Sequence, residues 1–216
     1  MIGSLLPAGI AVAEATGELN GAYLLPEEQA YLKSASEKRS REFTTGRTCA
    51  RRALAEIGVN PTPILPGSSR QPLWPAGVTG SITHCEGYCA AAVARRDSFM
   101  TIGIDAETHE QLPAGVVEIV ALEAERRWLS SLSQHAIHWD RVLFSAKESV
   151  YKAWFPLTEK WLEFKDVIVE IDCQSQAFRA RVLLESPTAD RSLTVFHGRY
   201  LVDDRLILTA VCVEAR

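Results

Sequence analysis

The stretch from Thr101 to Glu107 constrains the fold most, because it joins a β-branched strand pattern to two carboxylates. Asp105 and Glu107 are two residues apart, a spacing that directs both side chains to the same face of a strand. Like charges on one face repel, so the pair is costly unless a cation lies between them. Gly103 would let another element approach the strand backbone closely. The alternative is a strand that runs out into an acidic surface loop.

A second informative stretch is the helix predicted from Trp139 to Phe155, which Pro156 is expected to end. On one side its apolar residues recur at helical spacing: Trp139, Val142, Leu143, Ala146, Val150, Ala153 and Trp154. Glu148 is surrounded on the other side by the aromatic residues Phe144, Tyr151 and Phe155. A carboxylate in such surroundings is partly desolvated and needs a cation, either Lys152 or a metal. A plain Glu–Lys pair on a solvated face is the alternative.

An earlier helix, predicted from Ser36 to Ile57 and ended by Gly58, concentrates positive charge in an acidic protein. Its basic residues are Lys38, Arg39, Arg41, Arg47, Arg51 and Arg52. The forked donors of arginine suit phosphate, so this helix is a candidate anion site. A solvated basic face is the alternative.

A proline-rich loop over residues 59–80 carries Arg70, and loops of this length are commonly functional. Strands are predicted over 78–83 and 88–94, and His84 follows the first of them. The hydroxyls of Ser81 and Thr83 on the same strand favour a polar pocket there, although a structural histidine is the alternative.

Composition excludes several classes of protein. The net charge of −4 gives no reason to expect nucleic-acid binding. We expect no signal peptide and no membrane span, because no basic residue precedes the N-terminal apolar run and no apolar run is long enough. Five cysteines, an odd number, argue against a disulfide framework, and Cys85 and Cys89 beside His84 lack the further ligands of a zinc site. A cytoplasmic protein is therefore expected.

The order of elements predicts an α+β fold, in which each half is first helical and then rich in antiparallel strands. Further helical structure is predicted over 114–133 with a break near Leu122, and strands over 164–171, 178–184, 193–200 and 206–213. A boundary within 108–115 would divide the chain into an N-terminal half, 1–110, and a C-terminal half, 111–216.

Asp105, Glu107 and Glu148 together make a candidate magnesium site, because magnesium prefers oxygen ligands and shares them with phosphates. The basic helix, His84 and Lys147 would hold a polyanionic ligand, which indicates transfer of a phosphate-linked group. The chain lacks G-x-x-x-x-G-K-[ST], G-x-G-x-x-G and G-x-S-x-G motifs, which excludes P-loop, Rossmann and α/β-hydrolase sites.

These residues resemble a known family. The segments 103–107 and 144–152 are similar to the signature of 4'-phosphopantetheinyl transferases of the surfactin type. Three further segments, 45–54, 72–75 and 80–85, resemble its enterobactin-synthase-associated branch. The resemblance implies two similar α/β halves forming a pseudo-dimer, with coenzyme A in the cleft between them.

The resemblance also implies magnesium bound by Asp105, Glu107 and Glu148 together with the coenzyme A pyrophosphate. The serine of an apo acyl or peptidyl carrier protein would attack the pantetheine-side phosphate and release 3',5'-ADP. Glu148 occupies the position credited with activating that serine, Lys152 the position that stabilises charge on the pyrophosphate, and Asp105 completes the catalytic set. The carrier helix would dock around residues 116–122.

The remaining implied residues contact coenzyme A: Arg39, Arg47, Arg70, Thr83, His84, Lys147 and Lys152. Phe144 stands where many members have Trp. Some relatives carry a Lys where Pro66 aligns, and Arg70 is assigned the phosphate contact of that Lys. A monomer without nucleic-acid or membrane partners is expected. The alternatives are a non-catalytic module that binds coenzyme A or a carrier protein, and another magnesium-dependent phosphotransferase acting on a nucleotide.

Overall fold

The computed structural model describes residues 1–32, 35–132, 136–184 and 194–215. Its helices are α1 (Pro26–Tyr31), α2 (Glu37–Glu56), α3 (Val116–Val120), α4 (Glu123–Ser131) and α5 (Trp139–Thr158). Its strands are β1 (Ala11–Thr16), β2 (Val78–Cys85), β3 (Tyr88–Arg95), β4 (Phe99–Thr108), β5 (Val167–Asp172), β6 (Ala177–Val182), β7 (Val195–Val202) and β8 (Leu206–Glu214). Short 3-10 turns lie at Ile2–Leu5 and Phe164–Asp166.

Two antiparallel sheets organise these elements, one in the order β1-β3-β2 and the other in the order β4-β8-β7-β6-β5. Each sheet is covered by a helix of 20 residues, α2 on the first and α5 on the second. This arrangement confirms the predicted α+β fold of two similar halves. None of the described helices is long and apolar enough to cross a lipid bilayer.

Local signals in the sequence account for most element ends. Ser36 caps α2 by accepting a hydrogen bond from the backbone N–H of Arg39, and Gly58 follows the helix with a φ of +70°. The predicted break near Leu122 is observed, since α3 and α4 lie on either side of it. The strand predicted over 193–200 appears as β7, and its expected start at residue 193 lies outside the described residues.

The prediction that Pro156 ends α5 was wrong, because the helix continues to Thr158. Proline in the last turn removes one backbone hydrogen bond, which a helix tolerates near its end more easily than in its middle. The N–H of Glu159 still bonds to the carbonyl of Phe155, and Glu159 ends the helix in a left-handed conformation with φ of +54°.

Strand β4 lies between the two halves. It pairs with β8 along one edge, where Asp105 is opposite Thr209. Along the other edge its backbone N–H groups donate hydrogen bonds to side chains of β2. The N–H of Ile104 donates to the hydroxyl of Ser81 (3.2 Å), and that of Ala106 donates to the hydroxyl of Thr83 (3.0 Å). By sheet membership β4 belongs with β5–β8, and the boundary within 108–115 stays a prediction.

Helix α5 crosses β4 at Gly103. A Cβ atom there would lie 1.9 Å from the carbonyl oxygen of Ser149 and 2.8 Å from the backbone nitrogen of Ala153. The close approach expected at this glycine is therefore made by α5, and it brings the middle of that helix beside the strand that carries Asp105 and Glu107.

Gly103→Ala is expected to lower the free energy of unfolding by about 3 kcal/mol, because the added methyl group meets backbone atoms that cannot rotate away. Urea denaturation measures the loss. Gly3→Ala is the control, since its added Cβ would meet nothing closer than 3.6 Å. Equal losses in the two variants would contradict the close crossing.

Candidate active site

One face of α5 meets the carboxylate face of β4. The α5 side chains that point to the strand are spaced four, three and four residues apart, which keeps them on one side of a helix: Arg141, Ser145, Glu148 and Lys152. Asp105 and Glu107 lie opposite them, on the strand face that also contains Gly103. The predicted carboxylates and the predicted lysine are thus brought into one region.

Asp105 is buried and hydrogen-bonded at both oxygens. The ammonium of Lys152 lies 2.6 Å from Oδ1, where the hydroxyl of Thr83 also donates at 3.4 Å. The hydroxyl of Ser145 donates to Oδ2 at 2.8 Å. Burial lowers the pKa of Lys152, but the negative charges of Asp105 and Glu148 outweigh it and raise the pKa overall. Lys152 is therefore a firmly charged cation at this site.

Glu107 is held by Arg141, whose Nη1 lies 2.8 Å from its Oε2. Burial raises the pKa of Glu107, and the charge of Asp105 raises it further, although the guanidinium of Arg141 works in the opposite direction. The two carboxylates of β4 therefore act on each other electrostatically, as their spacing predicts.

Glu148 is half-buried, and within the described residues it forms no hydrogen bond or ion pair. Burial raises the pKa of its carboxyl group; the charge of Lys152 opposes this, and the charges of Asp105 and Glu107 add to it. A carboxylate that is desolvated and whose oxygens have no strong donor is suited to accept a proton from a bound hydroxyl.

Asp105, Glu107 and Glu148 suit a magnesium ion chemically, because all their donor atoms are oxygen. Besides burial, repulsion among these carboxylates raises the pKa values of Glu107 and Glu148, and a cation would relieve that repulsion. They are not assembled as a metal site, since no group of three His, Cys, Asp or Glu side chains in the described parts of the chain could hold an ion. Lys152 and Arg141 instead form ion pairs with Asp105 and Glu107. Cys85 and Cys89 are free thiols.

Two cavities meet at Glu148. The first has a volume of about 560 Å³ and lies between residues 69–82 of the N-terminal half and the second half of α5. Arg70, Trp74, Arg96 and Lys152 are among its lining residues. The second cavity, about 610 Å³, extends along the other side of α5 towards Ile119, Trp161 and Phe164. Glu148 and Tyr151 line both, so Glu148 is accessible from either side.

On α2, Arg39 and Arg47 lie near the ring of Phe43, at 5.9 Å and 4.1 Å from its centre. Arg47 is buried and its Nε donates to the carbonyl of Ile64. Burial lowers the pKa of Arg47 to about 10, so the guanidinium remains charged at neutral pH. Arg51 has a structural role instead, because it is bonded to the fully buried carboxylate of Glu28.

His84 lies beside the basic helix α2. Its Nδ1 is 4.0 Å from Glu42 of α2. Desolvation of the ring lowers the pKa of His84; Glu42 and Asp105 partly counter this, whereas Lys152 and Arg39 add to it. Arg39, Arg47 and His84 do not line either of the two cavities at Glu148, whereas Arg70 lines the first.

Lys147 lines the second cavity, but its ammonium does not contact the carboxylates of β4. The group is buried and donates to Oε2 of Glu125 (2.7 Å), the carbonyl of Val120 (2.9 Å) and the carbonyl of Phe164 (2.8 Å). These acceptors occupy its three donors. The contact of Lys147 with coenzyme A that the resemblance implies stays a prediction. Its partner Glu125 also accepts from the N–H of Val169, which joins α5, α4 and β5.

Comparison with known proteins agrees with this arrangement. Residues 27–94 match the model of the 4'-phosphopantetheinyl transferase N-terminal domain, and residues 101–210 match that of the 4'-phosphopantetheinyl transferase superfamily. The two matches adjoin where β3 ends and β4 begins.

Several curated proteins are similar over the whole chain. The 4'-phosphopantetheinyl transferase PptT of Mycobacterium tuberculosis (strain ATCC 25618 / H37Rv) is 44% identical over 98% of this chain and 97% of its own. The transferase Svp of Streptomyces mobaraensis is 44% identical over 100% of this chain and 90% of its own. Enterobactin synthase component D of Salmonella typhi is more distant, at 38% over 57% of this chain. The chain belongs to the 4'-phosphopantetheinyl transferase superfamily.

Proposed function

We propose that this protein transfers the 4'-phosphopantetheinyl group of coenzyme A to a serine of an apo carrier protein and releases 3',5'-ADP. The observation that carries the proposal is the placement of Glu148 and Lys152 beside Asp105, where two cavities meet. Relatives similar over the whole chain are named for this activity. Acyl and peptidyl carriers of fatty-acid, polyketide or non-ribosomal peptide pathways all supply such a serine.

Coenzyme A would occupy the first cavity, whose volume lies within the range of small-molecule sites. Arg70, Arg96 and Lys152 supply cations suited to a polyphosphate, beside the carboxylates of Glu148 and Glu159 in the same lining. The adenosine end would extend beyond the first cavity to Arg39, Arg47 and His84, which would bind its phosphate. Thr83, whose hydroxyl accepts a hydrogen bond from Lys152, would lie beside the ligand.

In the transfer step, the hydroxyl oxygen of the carrier serine forms a bond to the pantetheine-side phosphorus, and Glu148 accepts the hydroxyl proton. The bond from that phosphorus to the bridging oxygen breaks, and 3',5'-ADP leaves with the electron pair. Lys152, which is bonded to Asp105, would offset the charge on the departing oxygen, a contribution that phosphoryl transfer depends on.

Asp105, Glu107 and Glu148 do not form a site for an ion by themselves, but their oxygens would hold magnesium together with the pyrophosphate of coenzyme A. The bound ion would supply positive charge that neutralises the pyrophosphate. Lys152 and Arg141 also balance the charges of Asp105 and Glu107.

The carrier protein would approach from the second cavity, next to the expected docking segment 116–122. Ile119 within that segment and Trp161 across the cavity are both strongly exposed, at 64% and 67%. Exposed large apolar side chains at a cavity mouth are typical of a protein-binding surface. A serine presented there would reach Glu148, which lines the same cavity.

Chromatography of the products tests the proposal against its alternatives. With coenzyme A, magnesium and an apo carrier, the protein is expected to form 3',5'-ADP and holo-carrier in equal amounts. Binding of coenzyme A without either product would favour the non-catalytic module. Turnover of a nucleotide without modification of any carrier would favour a different phosphotransferase.

Arg47→Ala is expected to weaken coenzyme A binding about tenfold or more, since a hydrogen bond between charged groups contributes about 1.5–3 kcal/mol, while kcat changes much less. Isothermal titration measures the affinity. Arg41→Ala is the matched control, because Arg41 lies on the same helix but is exposed and paired with Glu37. Equal affinities of the two variants would contradict the phosphate-binding role of Arg47.

A further inference from the structure

Ser145 and Arg141 of α5 are not among the site residues predicted from the sequence. Both contact the carboxylates of β4. Ser145 is fully buried and bonds to Asp105, and Arg141 bonds to Glu107. They lie three and seven residues before Glu148, on the side of α5 that faces the strand.

The direction of the Ser145 hydrogen bond follows from its neighbours. The hydroxyl of Thr209 is 3.0 Å from that of Ser145, but it donates its proton to the backbone carbonyl of Ser145 at 2.9 Å. An ionised aspartate has no proton to give. The single hydroxyl proton of Ser145 is therefore directed at Oδ2 of Asp105, which leaves Oδ1 to the Lys152 side of the site.

Arg141 acts on Glu107 through a different geometry. One of its nitrogens bonds to Oε2 of Glu107, and two others bond to the carbonyls of Glu110 (3.0 Å) and Gln111 (3.1 Å). The planar guanidinium forms these bonds at fixed angles, so it ties the end of β4 and the following residues to the first turn of α5. Glu107 is thereby fixed at one oxygen.

From this geometry we propose that Ser145 and Arg141 are positioning residues, which orient Asp105 and Glu107 for the cation and phosphates that the site takes. The inference rests on the proposed transferase function, because that function supplies the metal-bound pyrophosphate. Residues that orient the ligands of a metal without touching it commonly change affinity for the metal by 10–100-fold.

The test compares Ser145→Ala with Ser149→Ala. Ser149 is an equally buried serine one turn along the same helix, but its hydroxyl donates to the carbonyl of Ala146 and not to a carboxylate. Two quantities are measured: binding of Mn²⁺ followed by electron paramagnetic resonance, with and without coenzyme A, and the magnesium concentration that gives half the maximal transfer rate.

Ser145→Ala is expected to weaken Mn²⁺ binding and raise the half-saturating magnesium concentration, both by about tenfold or more, with kcat at saturating magnesium within a few-fold of wild type. Ser149→Ala is expected to match wild type in both. Arg141→Gln is expected to show the same changes in Mn²⁺ affinity and half-saturating magnesium concentration as Ser145→Ala. If Ser145→Ala does not fold, Arg141→Gln alone tests the positioning role.

Equal Mn²⁺ affinities in wild type, Ser145→Ala and Arg141→Gln would overturn the positioning role while leaving the transferase function standing. Wild type that binds no Mn²⁺, with or without coenzyme A, would also overturn it. If wild type binds Mn²⁺ but transfers nothing, the proposed function fails, and the comparison of affinities still decides the positioning role.

Discussion

Glu148→Gln is expected to lower the rate of phosphopantetheinyl transfer by roughly a thousandfold, within the range that a general base contributes. Glutamine keeps the shape of the side chain but cannot accept the proton of the carrier serine. Single-turnover kinetics with coenzyme A and an apo carrier measures the loss. Glu123→Gln is the control, because Glu123 lies on the exposed surface of α4. A Glu148 variant with the activity of this control would remove Glu148 from the mechanism.

The same substitution is expected to leave the fold intact and to stabilise it at neutral pH. The pKa of Glu148 is raised above its usual value of 4.5 in the folded protein, so the folded state holds this proton more tightly than the unfolded chain does. In wild type the free energy of unfolding therefore falls as the pH rises from about 4.5 through the raised pKa. Glutamine removes this penalty, and denaturation at pH 7 and pH 4 is expected to show the gain at pH 7 alone.

Asp105→Asn is expected to lower transfer at least a hundredfold, because it removes the charge that balances Lys152 and would bind the metal. An amide has one acceptor oxygen, whereas Asp105 accepts from both Lys152 and Ser145. One of these donors would face the amide NH₂ group, which is expected to cost about 1–3 kcal/mol of stability.

Transfer rates and urea denaturation of Asp105→Asn are measured together. Asp97→Asn is the control, since Asp97 is exposed and accepts a hydrogen bond only from its neighbour Ser98 among the described residues. Transfer at the wild-type rate by Asp105→Asn would rule out the carboxylate as a part of the site. An unchanged free energy of unfolding would contradict the two-donor geometry.

Much of the site follows from local patterns in the sequence. The alternation of β4 predicts that Asp105 and Glu107 share a face, and Gly103 predicts a close approach there. Helical spacing places Glu148 and Lys152 on one side of α5. Local patterns do not reveal which element crosses Gly103, because that depends on how distant segments pair. For example, β8, the partner of β4, follows β4 in the chain by about a hundred residues.

The contacts that local patterns do not reveal share a physical cause, which is burial of a polar side chain against a distant partner. Lys147 is fully buried, contrary to the usual exposure of lysine, because Glu125 and two carbonyls compensate its charge. Ser145 and Arg141 could have been selected by projecting the helix around Glu148, since they fall on the same face. Their partners become visible only once α5 is placed across β4.

The central claim is that this cleft transfers the phosphopantetheinyl group to a carrier serine with the help of a metal. The intact mass of an apo carrier protein, after incubation with the wild-type protein, coenzyme A and magnesium, tests it most directly. The account predicts a gain equal to one phosphopantetheinyl group, suppressed by EDTA and absent when the carrier serine is replaced by alanine. An unchanged mass across several carrier types, despite measurable binding of coenzyme A, would contradict it.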